Sequence, residues 1–271
     1  MKKKMRNPLW KRLPRELVGD IGKYLVIFLF MTATIGFVSG FLVADESMLE
    51  AYDESFEKYR IENGNFTLDS QATEEKLEEL EQEGVTIYEN FYLDEPVDVD
   101  LDGTSDSTMR IFKKREEVNL VCLMKGTFPE TADEIAIDRM YADNNSLAVG
   151  DTITVGGKEL KITGLVALSD YSALFSDPGD LMFDSVKFGV SVLTPEGFAA
   201  FPDTHMKYCY SWLYEKKPAD DTEEKEMADD FLEVLAAKTD ISGYLPGYLN
   251  QAIRFTGDDM GGDKAMVEVL L

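Results

Sequence analysis

The sequence predicts an α+β membrane protein with one N-terminal transmembrane helix followed by a two-lobed ectodomain. Three observations lead to this fold class: residues 24–44 carry no charge, a strand-helix-strand pattern occurs both early and late in the remaining chain, and short strands with tight turns separate the two occurrences. About 225 residues follow the uncharged stretch, which is enough chain to bury a hydrophobic core. We therefore expect an α/β lobe interrupted by a β-rich lobe.

The uncharged stretch, residues 24–44, has the length of a membrane-spanning helix. Twenty-one residues rise about 31 Å as a helix, and the hydrocarbon core of a bilayer is ~30 Å thick. A cleaved secretory signal is the alternative, but its apolar region would be shorter and would end at a small-x-small site that residues 41–44 do not offer. The stretch is predicted to be an uncleaved anchor.

Residues 1–23 form a basic segment that fixes the orientation of the anchor. They contain eight basic and two acidic residues, and Trp10, Leu13, Leu17 and Ile21 recur at helical spacing. This pattern predicts an amphipathic cytoplasmic helix on the inner membrane surface. The rest of the chain then holds 19 basic and 50 acidic residues, a net charge of −31 outside, which disfavours nucleic acid and anionic lipid as partners. The charge favours solubility and cationic partners, and a solvated surface is the preferred interpretation of it over the capture of a specific cation.

The segment 45–124 is predicted to hold a stalk helix and the first part of a porter-like α/β lobe. Helical spacing continues to residue 60 and breaks near Asn63-Gly64. A strand at 65–68, a helix at 74–83 capped by Thr73 and a strand at 85–92 then form a βαβ unit. Residues 97–113 alternate apolar and polar side chains around a turn, which predicts a hairpin.

The β-rich lobe is predicted at 125–187, where Gly156-Gly157 suits a two-residue hairpin turn. The porter-like lobe resumes at 188–264 with further strands and helices, and its last element, 250–256, is expected to be a strand. Residues 265–271 (AMVEVLL) are apolar and are expected to begin a second membrane helix.

One acidic string resembles the opening of a calcium-binding loop. Asp98-x-Asp100-x-Asp102-Gly103, with Asp106 in the ninth position, matches an EF-hand, but Met109 stands where the twelfth position requires a bidentate glutamate. The alternation of Val97, Val99 and Leu101 also predicts a strand and not a helix before the loop. An acidic hairpin is the favoured interpretation.

Catalytic motifs are absent from the sequence. The lone histidine, His205, is expected in a solvated loop, and acidic pairs such as Asp229-Asp230 are expected on exposed helix faces. There is no Gly-x-Ser-x-Gly and no Walker A glycine loop. We therefore predict no enzyme activity, no catalytic, cofactor-binding or metal-binding residues and no cofactor. A membrane-anchored hydrolase is disfavoured because the sequence shows no recognisable pair of nucleophile and base.

The aromatic residues and cysteines leave alternatives open. Alternating aromatics at 208–214 and the run 244–248 (YLPGY) belong either to a sheet core or to an apolar ligand groove. Cys122 and Cys209 both lie in apolar, strand-like contexts and are either an extracytoplasmic disulfide or two buried thiols.

A set of motifs resembles the FtsX-like and MacB-like permeases of ABC transporters, over nearly the whole chain. The most specific are Gly126-Thr127-Phe128-Pro129, the strand 134–137 (EIAI), the turn 149–151 (VGD) and the strand 161–166 (KITGLV), with the N-terminal 12–17 (RLPREL) in support. Residues 250–264 resemble the segment that leads such domains back to a second membrane helix. The resemblance implies a porter-like lobe with an inserted β-rich lobe.

The resemblance also implies a function: a permease subunit, here its N-terminal part, whose ectodomain couples cytoplasmic ATP hydrolysis to export or to extracytoplasmic mechanotransmission. The implied partners are a cytoplasmic ABC ATPase, a second permease copy or paralogue, the lipid bilayer and a cell-envelope protein outside. A cationic peptide as a partner is a hypothesis that rests on the acidic net charge alone. The implied location is the plasma membrane, multi-pass when full length, with a cytoplasmic N-terminus. The alternative is a single-pass receptor or adhesion protein with a ligand-binding ectodomain.

Overall fold

The computed structural model describes residues 18–270, with side chains to residue 262. The chain divides into two compact units, whose described parts are residues 18–51 with 260–270, and residues 52–259. The predicted basic amphipathic segment, 1–23, lies outside the described residues apart from its last six.

A single helix, α1, contains both the predicted span and the predicted stalk. It runs over Ile21–Lys58 and is roughly 57 Å long. Nearly all side chains of residues 24–44 are exposed, as side chains in contact with lipid must be. Within residues 18–270, α1 is the one helix long and apolar enough to cross a bilayer.

Helix α1 ends five residues before the predicted break. Arg60 adopts a left-handed backbone conformation, φ 50°, and the Ile61 N–H donates to the Phe56 carbonyl at 3.0 Å. Together with the Arg60 N–H to Glu57 carbonyl bond, 3.3 Å, this is a Schellman cap. The residue in the left-handed conformation is an arginine. A prediction based on the usual glycine or asparagine at this position therefore placed the end of the helix too late.

The first lobe of residues 52–259 is a four-stranded sheet with a ferredoxin-like order. Its strands are β1 (Gly64–Leu68), β2 (Val85–Glu89), β10 (Tyr208–Tyr214) and β11 (Ile241–Pro246), arranged β11-β1-β10-β2 and antiparallel throughout. Helix α2 (Glu74–Glu81) connects β1 to β2, and α5 (Asp221–Lys238) connects β10 to β11. The predicted βαβ unit is therefore a split one, because β10 lies between its two strands.

The second lobe is a seven-stranded sheet that closes on itself. Its strands are β3 (Tyr92–Asp98), β4 (Ser107–Lys113), β5 (Val121–Gly126), β6 (Glu134–Asp138), β7 (Thr152–Val155), β8 (Lys158–Leu168) and β9 (Phe188–Leu193). The order is β5-β8-β6-β9-β4-β3-β7, and β7 also pairs with β8. That pairing makes a six-stranded barrel with β5 appended along β8. Two short helices, α3 (Arg139–Asn144) and α4 (Pro195–Ala199), pack on this lobe.

The local turn predictions for the second lobe are confirmed. Gly156 and Gly157 both have positive φ, 56° and 78°, between β7 and β8, as a two-residue hairpin requires. Strands β3 and β4 form a hairpin, with Leu93 opposite Ile111, but its first strand ends at Asp98. The predicted strand alternation through Val99 and Leu101 is wrong, because Leu101 lies in the turn with φ 62°. In the first lobe, Thr73 caps α2, as predicted, by accepting from the Lys76 N–H at 3.4 Å.

The β-rich lobe is wider than the predicted 125–187. Its sheet begins at Tyr92 and ends at Leu193, because β4 pairs with β9 in parallel and β3 pairs with β4. The predicted hairpin therefore belongs to the barrel and not to the porter-like lobe. The sequence prediction placed the boundary where short strands and tight turns begin, whereas pairing between distant strands determines the extent of the sheet.

The predicted strand at 250–256 is wrong, because these residues begin helix α6 (Gln251–Leu270). The Asn250 side chain accepts from the Ala252 N–H at 3.1 Å, which caps the helix start. Ala252 and Ile253 are buried, and Thr256 is partly buried on the same helix face. A short apolar run of this kind shows neither the helical nor the strand period of hydrophobic residues clearly. Its length and capping residues then decide between helix and strand.

Candidate functional site

The two lobes of residues 52–259 face each other across a cleft of about 600 Å³, which we call the inter-lobe cleft. Asn65 and Thr67 of β1 line one side, and Tyr92 and Arg110 of β3 and β4 line the other. A volume of this size falls in the range of small-ligand sites, ~300–1,000 Å³. The cleft is therefore the candidate site, and its floor and walls define its chemistry.

A buried hydrogen-bonded cluster, the polar junction, extends from the floor of the cleft, where Glu62, Asn65 and Asn90 line it. It consists of Glu62, Asn65, Asn90, Asn119 and Ser211. The Glu62 carboxylate accepts from Asn65 Nδ2 at 2.6 Å, from Asn119 Nδ2 at 2.7 Å and from Ser211 Oγ. Asn119 Oδ1 accepts from the Glu62 N–H at 2.8 Å, and Asn90 Nδ2 donates to Ser211 Oγ at 2.9 Å.

The polar junction connects three parts of the chain. Glu62 follows the end of α1, Ser211 lies on β10 of the first lobe, and Asn119 precedes β5 of the second lobe. The backbone reinforces the connection, because the Leu120 N–H donates to the Tyr59 carbonyl at 2.8 Å. A displacement of the end of α1 would therefore act on both lobes at once.

Burial determines the protonation of Glu62. Its pKa is raised, first by burial and second by the negative charge of Asp170, while the hydrogen bonds from Ser211, Asn65 and Asn119 act in the opposite direction. Glu62 is 3% exposed, and no cation pairs with it among the described residues. At a given pH this carboxyl therefore holds a proton more readily than an exposed glutamate does.

A buried ion pair lies beside the polar junction. Arg115 Nη1 donates to Asp170 Oδ2 at 2.7 Å, and both side chains are 5% exposed. The guanidinium of Arg115 also stacks over Phe112, with its central carbon 4.1 Å from the ring centroid. Asp170 Oδ1 and Asn90 Oδ1 are buried without a hydrogen-bond partner among the described residues. Both residues line the cleft.

Arg110 forms a fixed part of the cleft wall. Its guanidinium makes a two-point bond to Asp94, with both N–O distances 2.8 Å, and donates to the Tyr171 hydroxyl at 3.1 Å. It lies 4.3 Å from the Tyr92 ring centroid. Asp94 therefore neutralises this arginine already.

The predicted acidic loop is a turn between β3 and β4. Asp98 accepts from the backbone N–H of Asp102 at 3.2 Å and of Gly103 at 2.8 Å, and Asp106 accepts from the Val99 N–H at 2.9 Å. Carboxylate oxygens of Asp98, Asp100 and Asp106 come within 4.8 Å of one another. The acidic hairpin is thus the observed structure, and its carboxylates bond the turn backbone.

His205, expected in solvent, has a specific partner. Its Nδ1 lies 2.6 Å from Glu95 Oε1, and Glu95 is 4% exposed whereas His205 is 51% exposed. The two residues are 110 positions apart, so no local pattern could have indicated the pair. The contact lies outside the inter-lobe cleft.

The alternating aromatics of β10 belong to the core of the first lobe. Tyr210 and Trp212 are fully buried, and Tyr210 stacks on Phe66 with ring centroids 5.4 Å apart. Tyr244 of the 244–248 run stacks on Trp212 at 5.2 Å and also lines the cleft. The aromatic residues of β10 therefore belong to the sheet core and not to a ligand groove. Tyr244 both packs against this core and lines the cleft.

The two cysteines are free thiols. Cys209 is buried, and burial, followed by the charge of Glu62, raises its pKa to about 12. Cys122 is partly buried on β5, which pairs with β8 on one side. The open choice between a disulfide and two thiols is therefore resolved in favour of thiols.

Sequence reasoning missed the residues at the floor of the cleft, Glu62, Asn90 and Asp170, and the buried residues Asn119 and Ser211 that bond to them. These five belong to no motif, and successive members are 28 to 51 positions apart in the sequence. The sequence contains only one hint, which is that Asn119 and Ser211 interrupt otherwise apolar runs. A polar residue inside such a run requires a partner.

Comparison with known proteins gives weak structural matches. The extracellular domain of the noncanonic ABC-type transporter YknZ from Gram-positive bacteria is 12% identical, with 66% of this chain and 98% of that chain covered and a TM-score of 0.37. The periplasmic region of MacB from Actinobacillus actinomycetemcomitans is 11% identical, with 76% and 98% covered and a TM-score of 0.40. No protein-family model and no curated protein matches the chain.

Proposed function

We propose that this chain is the N-terminal part of an ABC transporter permease, and that its ectodomain responds to ATP hydrolysis by a separate cytoplasmic ATPase. The observation that carries the proposal is the unbroken helix α1, Ile21–Lys58, which contains the whole predicted span. Its end is hydrogen-bonded into the polar junction through Tyr59 and Glu62. A helix of this kind transmits axial or rotational movement better than a flexible linker does.

The orientation of the chain in the membrane follows from the charge distribution. Eight basic residues precede the span, and the positive-inside rule places them in the cytoplasm. The ectodomain is then extracytoplasmic, and the chain acts at the plasma membrane beside a second permease copy or paralogue. The chain itself is proposed to be no enzyme, since the ATPase partner supplies the chemistry.

The proposal is tested by labelling Cys122 in the complex purified from native membranes. Cys122 lies two residues after Leu120, whose N–H bonds the end of α1, so its reaction rate with a maleimide reports movement there. We expect the rate to differ between the nucleotide-free complex and the complex trapped with ATP and vanadate. Equal rates in both states would contradict transmission through α1.

A matched pair of stalk variants makes the test specific. Ala51 lies in α1 and is exposed, so Ala51→Pro removes a helical hydrogen bond and kinks the helix at a cost of about 3 kcal/mol, whereas Ala51→Ser leaves it continuous. Ala51→Pro should abolish the nucleotide-dependent difference and Ala51→Ser should preserve it. If both variants preserve the difference, α1 is not the transmitting element.

A second candidate function is a single-pass receptor with a ligand-binding ectodomain. The inter-lobe cleft, about 600 Å³, favours this candidate. It predicts a ligand but no ATPase partner, so isolation of the complex from native membranes separates the two.

A further inference from the structure

The mouth of the inter-lobe cleft carries two exposed acidic residues, Asp69 and Asp177, against Lys207. The other two acidic residues that line the cleft add little free charge, because Asp170 is paired with Arg115 and the pKa of Glu62 is raised by burial. Arg110 is bonded at two points to Asp94, which does not line the cleft. Asp69 and Asp177 are exposed at the mouth, where they would attract a cation from solution.

The floor of the cleft contains hydrogen-bond acceptors without donors. Asp170 Oδ1 and Asn90 Oδ1 have no partner among the described residues, and both side chains are at least nine-tenths buried. A buried acceptor without a donor costs about 1–3 kcal/mol, so a ligand that supplies N–H groups there removes this cost. The observation is independent of the charge of the lining.

Aromatic rings form the walls between mouth and floor. Tyr171, Phe175 and Tyr244 line the cleft, and neighbouring rings already hold guanidinium groups on their faces, as Phe112 holds Arg115 at 4.1 Å. The face of an aromatic ring attracts cations. The walls therefore suit a cation with an organic body better than a small hydrated metal ion.

We propose that the inter-lobe cleft is a binding site for an organic cation, an ammonium or guanidinium group on a body of a few residues' size. Its N–H groups donate to Asp170 Oδ1 and Asn90 Oδ1, and Asp69 and Asp177 guide it into the cleft. A short basic peptide and a free polyamine share this chemistry. The inference concerns binding alone and does not depend on the proposed ATPase partner.

The test is calorimetric titration of the full chain in nanodiscs of neutral lipid, with triarginine amide and spermine as the two probes. The variant Asp69→Asn/Asp177→Asn removes two charges at the mouth, and the matched control Asp229→Asn/Asp230→Asn removes two exposed charges of α5 that lie outside the cleft. At about 50 mM salt, the mouth variant should weaken binding by about fivefold, while the control stays within about twofold.

A blocking variant tests the site directly. Ser242 lines the cleft on β11, so Ser242→Trp should abolish binding, while Thr104→Trp, on an exposed turn outside the cleft, should leave it intact. Unchanged melting temperatures keep the comparison valid. Asp170 is left unsubstituted because its removal would leave Arg115 as a buried unpaired charge.

Each outcome decides the proposal. One saturable site that Ser242→Trp removes supports it, and a preference for triarginine amide or for spermine identifies the source of the cation. The proposal is overturned if neither probe binds, or if binding survives Ser242→Trp. It is also overturned if the two charge variants weaken binding equally, because that result would indicate attraction by the overall acidic surface.

Discussion

The polar junction makes a specific prediction about stability: Glu62→Ala should destabilise residues 52–259. The carboxylate accepts from Asn65, Asn119 and Ser211, and the last two are 0% exposed. Each buried donor left without a partner costs about 1–3 kcal/mol. Asn65 is partly buried and can turn to water, so it adds little.

The magnitude follows from these donors and from one opposing effect. The Ser211 hydroxyl loses its acceptor, and Asn119 Nδ2 keeps only a long bond of 3.4 Å to Ser211 Oγ, which together give a loss of about 2–6 kcal/mol. Removal of a desolvated carboxyl returns part of this loss, so we expect a net loss of about 3 kcal/mol in the free energy of unfolding. For a domain of this size, the loss corresponds to a melting temperature lower by roughly 6–12 °C.

The assay is thermal unfolding followed by circular dichroism, with Glu89→Ala as the matched control. Glu89 is an exposed residue at the end of β2 in the same lobe, and its truncation should change the free energy by less than about 0.5 kcal/mol. If Glu62→Ala and Glu89→Ala melt at the same temperature, the polar junction does not stabilise the fold and the reasoning fails.

Two further predictions concern protonation. The folded-state pKa of Glu62 is raised, so the folded state binds the extra proton: stability is fully present below the unfolded pKa and falls as pH rises from there through the folded pKa. Unfolding by denaturant at several pH values should show this decline in wild type and a smaller one in Glu62→Gln; identical slopes would contradict it. The second prediction concerns the two cysteines. The pKa of Cys209 is raised to about 12, so Cys209 should resist alkylation at neutral pH while Cys122 reacts, because the thiolate is the nucleophile. Mass spectrometry of the labelled chain would show equal reaction if this were wrong.

The parts of the fold that depend on local chemistry could be predicted from the sequence. The length of uncharged chain predicts the span in α1, Gly156-Gly157 predicts the β7–β8 turn, and Thr73 predicts the start of α2, since each signal acts within a few residues. The continuation of helical spacing beyond residue 44 also predicts the stalk correctly.

Apart from the end of α1, where a left-handed Arg60 forms the cap, the failures come from dependence on distant partners. The barrel extends beyond the predicted 125–187 because β9 pairs with β4 across about 80 residues of chain. Residues 250–256 are helical since tertiary packing buries one face of a short apolar run. The inter-lobe cleft could not be predicted at all, because its floor brings together Glu62, Asn90 and Asp170 from separate segments.

The most direct test of the central claim is purification of the full-length gene product from its native membrane in mild detergent, followed by identification of stoichiometric partners. The account predicts a cytoplasmic protein with a Walker A motif at a fixed ratio to this chain, and ATP hydrolysis by the complex. Isolation of the chain without such a partner, together with no ATP hydrolysis above that of empty detergent extract, would contradict it.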